Sequence, residues 1–317
     1  MKNIYSNIFK FNRNILKKTA RYLKKKHLVA LPTETVYGLA GNAYSDKSVA
    51  KIFRLKNRPK FNPLIIHYYD LKRAEKDVFI NDELIKLYKK LSPGPITFVV
   101  SKKKNSKLSS IATANLKTVA IRFPSNKIIR RLLKELTFPL AIPSANKSGR
   151  LSPVDSIDVV EEFNNKIKII IDGGRSKFGV ESTVVNLTEN FSILRYGAIS
   201  KNIISKILKK KYSTLRGSKK ILSPGNLKKH YSPGIPLILN QKKNIKGQAF
   251  LVFGKKYKNS KHTFNLSKKS NLKQAAQNLY KTLRKIKKLN YKRIYVAKIP
   301  NTGIGEAIND RLKRAAN

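Results

Sequence analysis

The residues able to do chemistry lie in short polar turns that follow apolar runs. Thr33, Glu34 and Thr35 follow Pro32, and the basic pair Lys56 and Arg58 precedes Pro59, Asn62 and Pro63. His67 and Arg122 are embedded in apolar runs, Ser144, Asn146, Ser152 and Ser182 occupy later turns, and Arg195 ends another run. Arginine forks hold a carboxylate or phosphate in a fixed orientation. Hydroxyls and amides add neutral hydrogen bonds. Gathered in one crevice, such a set suits a nucleoside triphosphate whose charge is neutralised during transfer. Taken singly, each residue has a plainer role. Lys56 and Arg58 read as a solvated helix end favoured by the dipole, Thr33 and Thr35 as turn formers, and His67 as a half-buried strand residue. Their crowding, with two prolines stiffening the backbone around Asn62, is what points to an anion.

Those turns need elements to hold them. Residues 28–31 read as a strand running into the Pro32 turn. Ser45 is the N-cap of a helix with Val49, Ile52 and Phe53 on one face, whose last turn carries Lys56 and Arg58. Residues 63–69 form a second strand. A surface helix covers 12–26, with the residues before it as its lead-in. Further helices are expected around Leu84, Tyr88 and Leu91, over 126–136, from an Asp155 cap to Phe163, and over 200–211. Strands are expected at 96–100, 118–123, 139–142, 167–171, 182–187 and 191–195. Several neighbouring strands are joined by turns too short for parallel crossovers, so the fold class is α/β with a twisted, mixed sheet and flanking helices. In an open sheet, strand-end loops converge on one crevice.

The composition changes at Ser213. Residues 213–236 are rich in Gly, Pro, Ser and Lys and read as a linker, with His230 and Tyr231 standing out. A smaller Rossmann-like α/β unit follows, with strands at 237–239, 249–253 and 294–299 and a long helix over 272–289. The expected organisation is a catalytic domain over 1–212, a linker or lid over 213–236, and a C-terminal domain over 237–317.

Composition removes several functions. Without cysteine there is no disulfide, thiolate nucleophile or sulfur ligand for zinc or iron–sulfur clusters. Four scattered histidines argue against a transition-metal site, and 17 acidic residues make paired-carboxylate hydrolysis a poor prospect. There is no GxxxxGK[ST] loop and no GxGxxG fingerprint. No run reaches the roughly 18 apolar residues of a membrane span, and a cytoplasmic setting is expected. The net charge of +52 fits either a nucleic-acid partner or compositional drift toward Lys, Asn and Ile. Its spread over every segment favours drift. Weak non-specific RNA binding follows in both cases.

The strings PTETVYGL, FRLKNRPKFNPLIIH, SPGPITFVV, VAIRFP, PSANKSGRLSP, GVESTVV and ILRYGAI occur in this order and resemble the YrdC-like threonylcarbamoyl-AMP synthase family. SPGNLKKHYSP and GIGEAINDRLKRAA resemble its long, two-domain form. Tyr196, Val154, Asn226 and Leu227 depart from the family pattern. The resemblance implies an L-threonylcarbamoyladenylate synthase using L-threonine, bicarbonate and ATP, and proteins that transfer the product to tRNA. It further implies catalytic roles for Lys56 and Arg58, and threonine contacts from Thr35, His67, Arg122, Ile142 and Ser182. ATP contacts are implied for Arg58, Asn62, Thr118, Ser144, Asn146, Ser152, Arg195 and His230. Mg²⁺ is expected to ride mainly on the triphosphate. One alternative is an RNA-binding module with a basic concave surface, which explains the charge but not the sharp polar turns; another is a carbamoyl-transfer relative sharing the same fold, against which the linker with His230 argues.

Overall fold

The fold is that of a computed structural model, which describes residues 5–188, 191–212 and 230–316. The chain starts with β1 (Ile8–Lys10), α1 (Arg13–Lys24), β2 (Val29–Leu31), β3 (Gly38–Asn42), α2 (Asp46–Lys56) and β4 (Ile65–His67). Next come α3 (Leu71–Ala74), α4 (Asp82–Leu91), β5 (Ile96–Ser101), β6 (Thr118–Arg122), α5 (Lys127–Glu135) and β7 (Leu140–Ala141). The first unit closes with α6 (Ser156–Phe163), β8 (Ile170–Asp172), β9 (Thr183–Asn186), β10 (Ser192–Arg195) and α7 (Lys201–Leu208). Its ten strands form one sheet in the order β1-β8-β2-β3-β7-β4-β6-β5-β9-β10. The β4/β6, β5/β9 and β2/β8 pairs are parallel, whereas β2/β3, β3/β7, β5/β6 and β9/β10 are antiparallel. The mixed sheet expected from the short turns is therefore present.

Local chemistry explains the helix boundaries. Asn12, Ser45, Asn126 and Asp155 each accept a backbone N–H at a helix start, satisfying donors that the first turn leaves unpaired. Helix α2 ends at Lys56 because Asn57 turns left-handed, with φ 49°. Arg58 thus lies past the helix rather than in its last turn. The N-terminal residues are also more than a lead-in, since β1 pairs in parallel with β8 at the sheet edge. The third strand, β3, had no sequence signal of its own, because its GLAGN text is poor in β-branched residues.

After residues 213–229, which hold most of the expected linker with Asn226 and Leu227 and lie outside the described residues, a second sheet is built. It contains β11 (Leu237–Gln241), β12 (Ala249–Val252), β13 (Thr263–Asn265) and β14 (Ile294–Ala297), all parallel, in the order β11-β14-β12-β13. Helices α8 (Leu272–Lys288) and α9 (Gly305–Ala316) pack on each other, and α9 also packs on β11. One apolar cluster joins Val36, Leu151, Val154 and Val180 of the first unit to Tyr231, Leu279, Tyr280 and Leu283 of the second. The two units therefore share a core. Gly179 (φ +69°) sits against α8 so closely that a Cβ would meet the Gln277 Cα at 2.5 Å.

Candidate active site

Strand register sets the centre of the site. Parallel pairing of β4 with β6 puts His67 beside Arg122, and antiparallel pairing of β5 with β6 puts Thr97 on the other side of Arg122. The Thr97 hydroxyl shares a 2.7 Å hydrogen bond with Ser182 Oγ, just before β9. Arg195, at the end of β10, grips the same residue through Nε to the Ser182 carbonyl and Nη2 to Oγ, both at 3.0 Å. Gly197 makes this possible: a Cβ there would stand 2.2 Å from the Thr183 nitrogen.

Polar turns close over that floor. The Thr33 hydroxyl donates to the Val36 carbonyl at 2.6 Å, so the Thr35 hydroxyl donates to Thr33 in their 2.8 Å contact. Glu34 accepts from Arg122 Nη2 at 2.7 Å with both side chains buried. Burial alone would raise the Glu34 pKa, but the Arg122 charge and hydrogen bond outweigh it and hold the carboxylate ionised. Lys56 Nζ donates to the carbonyls of Ser144, at 2.6 Å, and Asn146. It fastens that turn to the end of α2 from behind. Arg58 donates through Nε and Nη2 to Asn62 and Pro63. Burial first, and then Arg195, lower its pKa to about 9, which leaves it charged at neutral pH.

Thr35, Arg58, His67, Arg122, Ile142, Ser144, Arg195 and His230 line one cleft of about 50 Å³, together with Glu181 and Tyr231. Lys56, Asn146, Ser152 and Ser182 stand just behind its wall, bonded to lining residues or their turns. Asn62 holds Arg58. Thr118 stands apart from the wall, at the far end of β6 from Arg122. Carried back two residues, the β4/β6 register brings it beside Pro63 and thus near the Asn62 turn.

Several polar atoms of this set are buried without a hydrogen-bond partner: Arg122 Nε, His67 Nε2, His230 Nδ1, Asn62 Nδ2, Thr118 Oγ1 and Asn146 Oδ1. Native interiors leave few such groups, and six of the fourteen among the described residues fall on residues that the sequence had already marked. His67 Nδ1 faces the Ile65 carbonyl at 3.3 Å. A carbonyl only accepts, so Nδ1 carries the proton and Nε2 presents a lone pair. Burial, then the Arg122 charge, keep this imidazole neutral. Burial likewise lowers the His230 pKa to about 3.

Sequence reasoning assigned no role to Glu181, Tyr280 or Arg311. Glu181 stood in view within GVEST, but Arg311 looks like any other cation of a basic helix.

Residues 21–197 match a family model described as "Telomere recombination", and 199–317 match one described as "Threonylcarbamoyl-AMP synthase, C-terminal domain". The threonylcarbamoyl-AMP synthase of Pyrococcus abyssi is 33% identical over 94% of this chain and 92% of its own length. That of Bacillus subtilis is 34% identical over 94% and 91%. The chain belongs to the threonylcarbamoyl-AMP synthase family. Among solved members, P. abyssi Sua5 complexed with L-threonine superposes with a TM-score of 0.89 at 31% identity, covering 98% of this chain and 97% of that one. Escherichia coli YciO (TM-score 0.53, 20% identity, 61% of this chain and 96% of that one) shares the fold. The synthase family's two-part architecture thus extends through both units here.

Proposed function

We propose that this chain is an L-threonylcarbamoyladenylate synthase, which makes threonylcarbamoyl-AMP and pyrophosphate from L-threonine, bicarbonate and ATP. The observation that carries the reading is the joining of His67 and Arg122 to Arg58, Arg195 and the Lys56-held turn in one buried cleft whose polar atoms await partners. The threonine-bound P. abyssi relative supports it. The boundaries at 212 and 236 belong to the same proposal.

In this mechanism Arg122 Nε, fixed by Glu34, takes the threonine carboxylate. His67 Nε2 accepts a hydrogen bond, and Thr35, Ser182 and the Ile142 backbone complete that subsite. The threonine amine and bicarbonate condense to a carbamate with loss of water. A carbamate oxygen then attacks the α-phosphorus, and pyrophosphate leaves. Arg58 and Arg195 offer charge to the phosphates as the negative charge grows, while Lys56 places Ser144 and Asn146 from behind. Asn62, Thr118, Ser152 and His230 complete the nucleotide subsite. A carbamate decomposes in water, so the narrow cleft is itself part of the mechanism. Its present size suits waters rather than ATP, so His230 and Tyr231 must shift for the nucleotide to enter.

Mg²⁺ belongs to the nucleotide in this scheme. Among the described residues no group of three or more His, Cys, Asp and Glu forms a metal cage, and Glu34 and Glu181 are already paired with arginines. Coordination mainly by phosphate oxygens fits that donor set. Transfer proteins that pass the threonylcarbamoyl group to tRNA are the proposed partners, in the cytoplasm. Weak, non-specific RNA adhesion accompanies the positive charge. No helix among the described residues is long and apolar enough to cross a membrane.

The test is pyrophosphate release from ATP. It should require threonine and bicarbonate together; release independent of either one contradicts the assignment.

A further inference from the structure

The two units meet at a buried ionic cluster that the scheme above does not use. Glu181 accepts from Ser152 Oγ at 2.6 Å, from the Tyr280 hydroxyl at 3.0 Å to both oxygens, and from Arg311 Nε at 2.7 Å. Burial would raise the Glu181 pKa, but Arg311, Arg195 and these hydrogen bonds bring it down to about 2. Arg311 is 1% exposed. Its Nη2 donates to the Tyr196 carbonyl at 2.9 Å, next to Arg195, and its guanidinium lies 4.7 Å from the Tyr231 ring centroid. His230 donates its backbone N–H to the Arg314 carbonyl one helical turn further along α9.

A buried ion pair is a poor way to gain stability, because desolvation consumes most of the Coulombic gain. This one instead touches, from one guanidinium and one carboxylate, the neighbours of three proposed nucleotide contacts: Ser152, Arg195 and His230. No hydrogen bond among the described residues joins Glu181 or Arg311 to Thr35, His67 or Arg122; on the threonine side the cluster borders Ser182, which follows Glu181 and is bonded by Arg195. Arg122 has its own carboxylate, Glu34.

We infer that Arg311 is a positioning residue for the nucleotide subsite: through Glu181, the Tyr196 carbonyl and the Tyr231 ring, the C-terminal unit sets the geometry of Ser152, Arg195 and His230. The inference rests on the nucleotide assignment made above. It gives the second unit a role in the reaction and predicts that the two ligands respond differently when the cluster is altered.

The experiment is calorimetric titration of the full chain with a non-hydrolysable ATP analogue and, separately, with L-threonine. Arg311→Lys keeps the charge but cannot reproduce the fork. It should weaken the analogue about 10-fold, the scale of a coupling within one network, and leave threonine affinity within about 2-fold. Tyr280→Phe removes only a hydroxyl from Glu181 and should shift the analogue about 3-fold in the same direction. Should Arg311→Lys fail to fold, Tyr280→Phe decides. Equal losses for both ligands, or an unchanged analogue affinity in the folded variants, would overturn the inference. Threonine-dependent pyrophosphate release by the wild type reads the parent assignment separately.

Discussion

Arg58 and the two buried histidines make the sharpest demands on single residues. Arg58→Ala removes a preorganised charge donor from the phosphate side and should lower turnover by about two to three orders of magnitude. Steady-state pyrophosphate release on a variant with unchanged melting measures it. His67 and His230 are neutral because burial pushes their pKa below the ordinary 6.5, to about 3 for His230. A depressed folded pKa contributes stability that is complete above the unfolded value and lost as pH falls toward the folded one. Glu181, held at about 2 against an ordinary 4.5, adds its loss only at lower pH. Between about pH 6.5 and 4.5 the fall in melting temperature should therefore belong to the histidines. It should be smaller in His230→Gln than in the wild type when melting is followed across that window. An identical slope in the variant would assign the loss elsewhere.

At the scale of elements, packing makes a few positions intolerant. Gly197→Ala would drive a methyl into the Ser182–Thr183 backbone, beside the Arg195 grip. The expected cost is about 3 kcal/mol, read as a shift in the denaturant midpoint, with both ligands bound more weakly. The helices were the legible part of the sequence: Ser45, Asn126 and Asp155 cap where their short polar side chains and the following apolar spacing require. Strands with alternating or β-branched text, such as β5 and β6, were equally plain. β3 and β1 were not, because GLAGN carries no β-branched residue and a three-residue edge strand has too little pattern to see. The site shows the same division. Ser144 and Ser182 stood out within polar turns beside strands, and His67 and Arg122 as polar residues inside apolar runs. Glu181 with Arg311 did not, since a long-range pair 130 positions apart leaves no local trace. Lys56 was visible, but its attachment to the back of the Ser144–Asn146 turn was not.

On the scale of the whole molecule, the +52 charge and the catalytic cleft are separate matters. Sequence-independent RNA binding should weaken steeply between 50 and 200 mM salt. Arg58→Ala should hardly alter it, since one cation among 69 Lys and Arg contributes little to a dispersed field. A filter-binding series at two salt concentrations checks this. The shared core across the two units means that the cleft is a property of the full chain, built from turns as far apart as Thr35 and His230. A crystal structure of the full chain with L-threonine and a non-hydrolysable ATP analogue tests that most directly. It should show the threonine carboxylate on Arg122, the phosphates on Arg58 and Arg195, and the threonine amine facing the α-phosphorus across a space sized for bicarbonate. Ligands seated on separate surfaces, or a carboxylate that leaves Arg122 Nε without a partner, would contradict it.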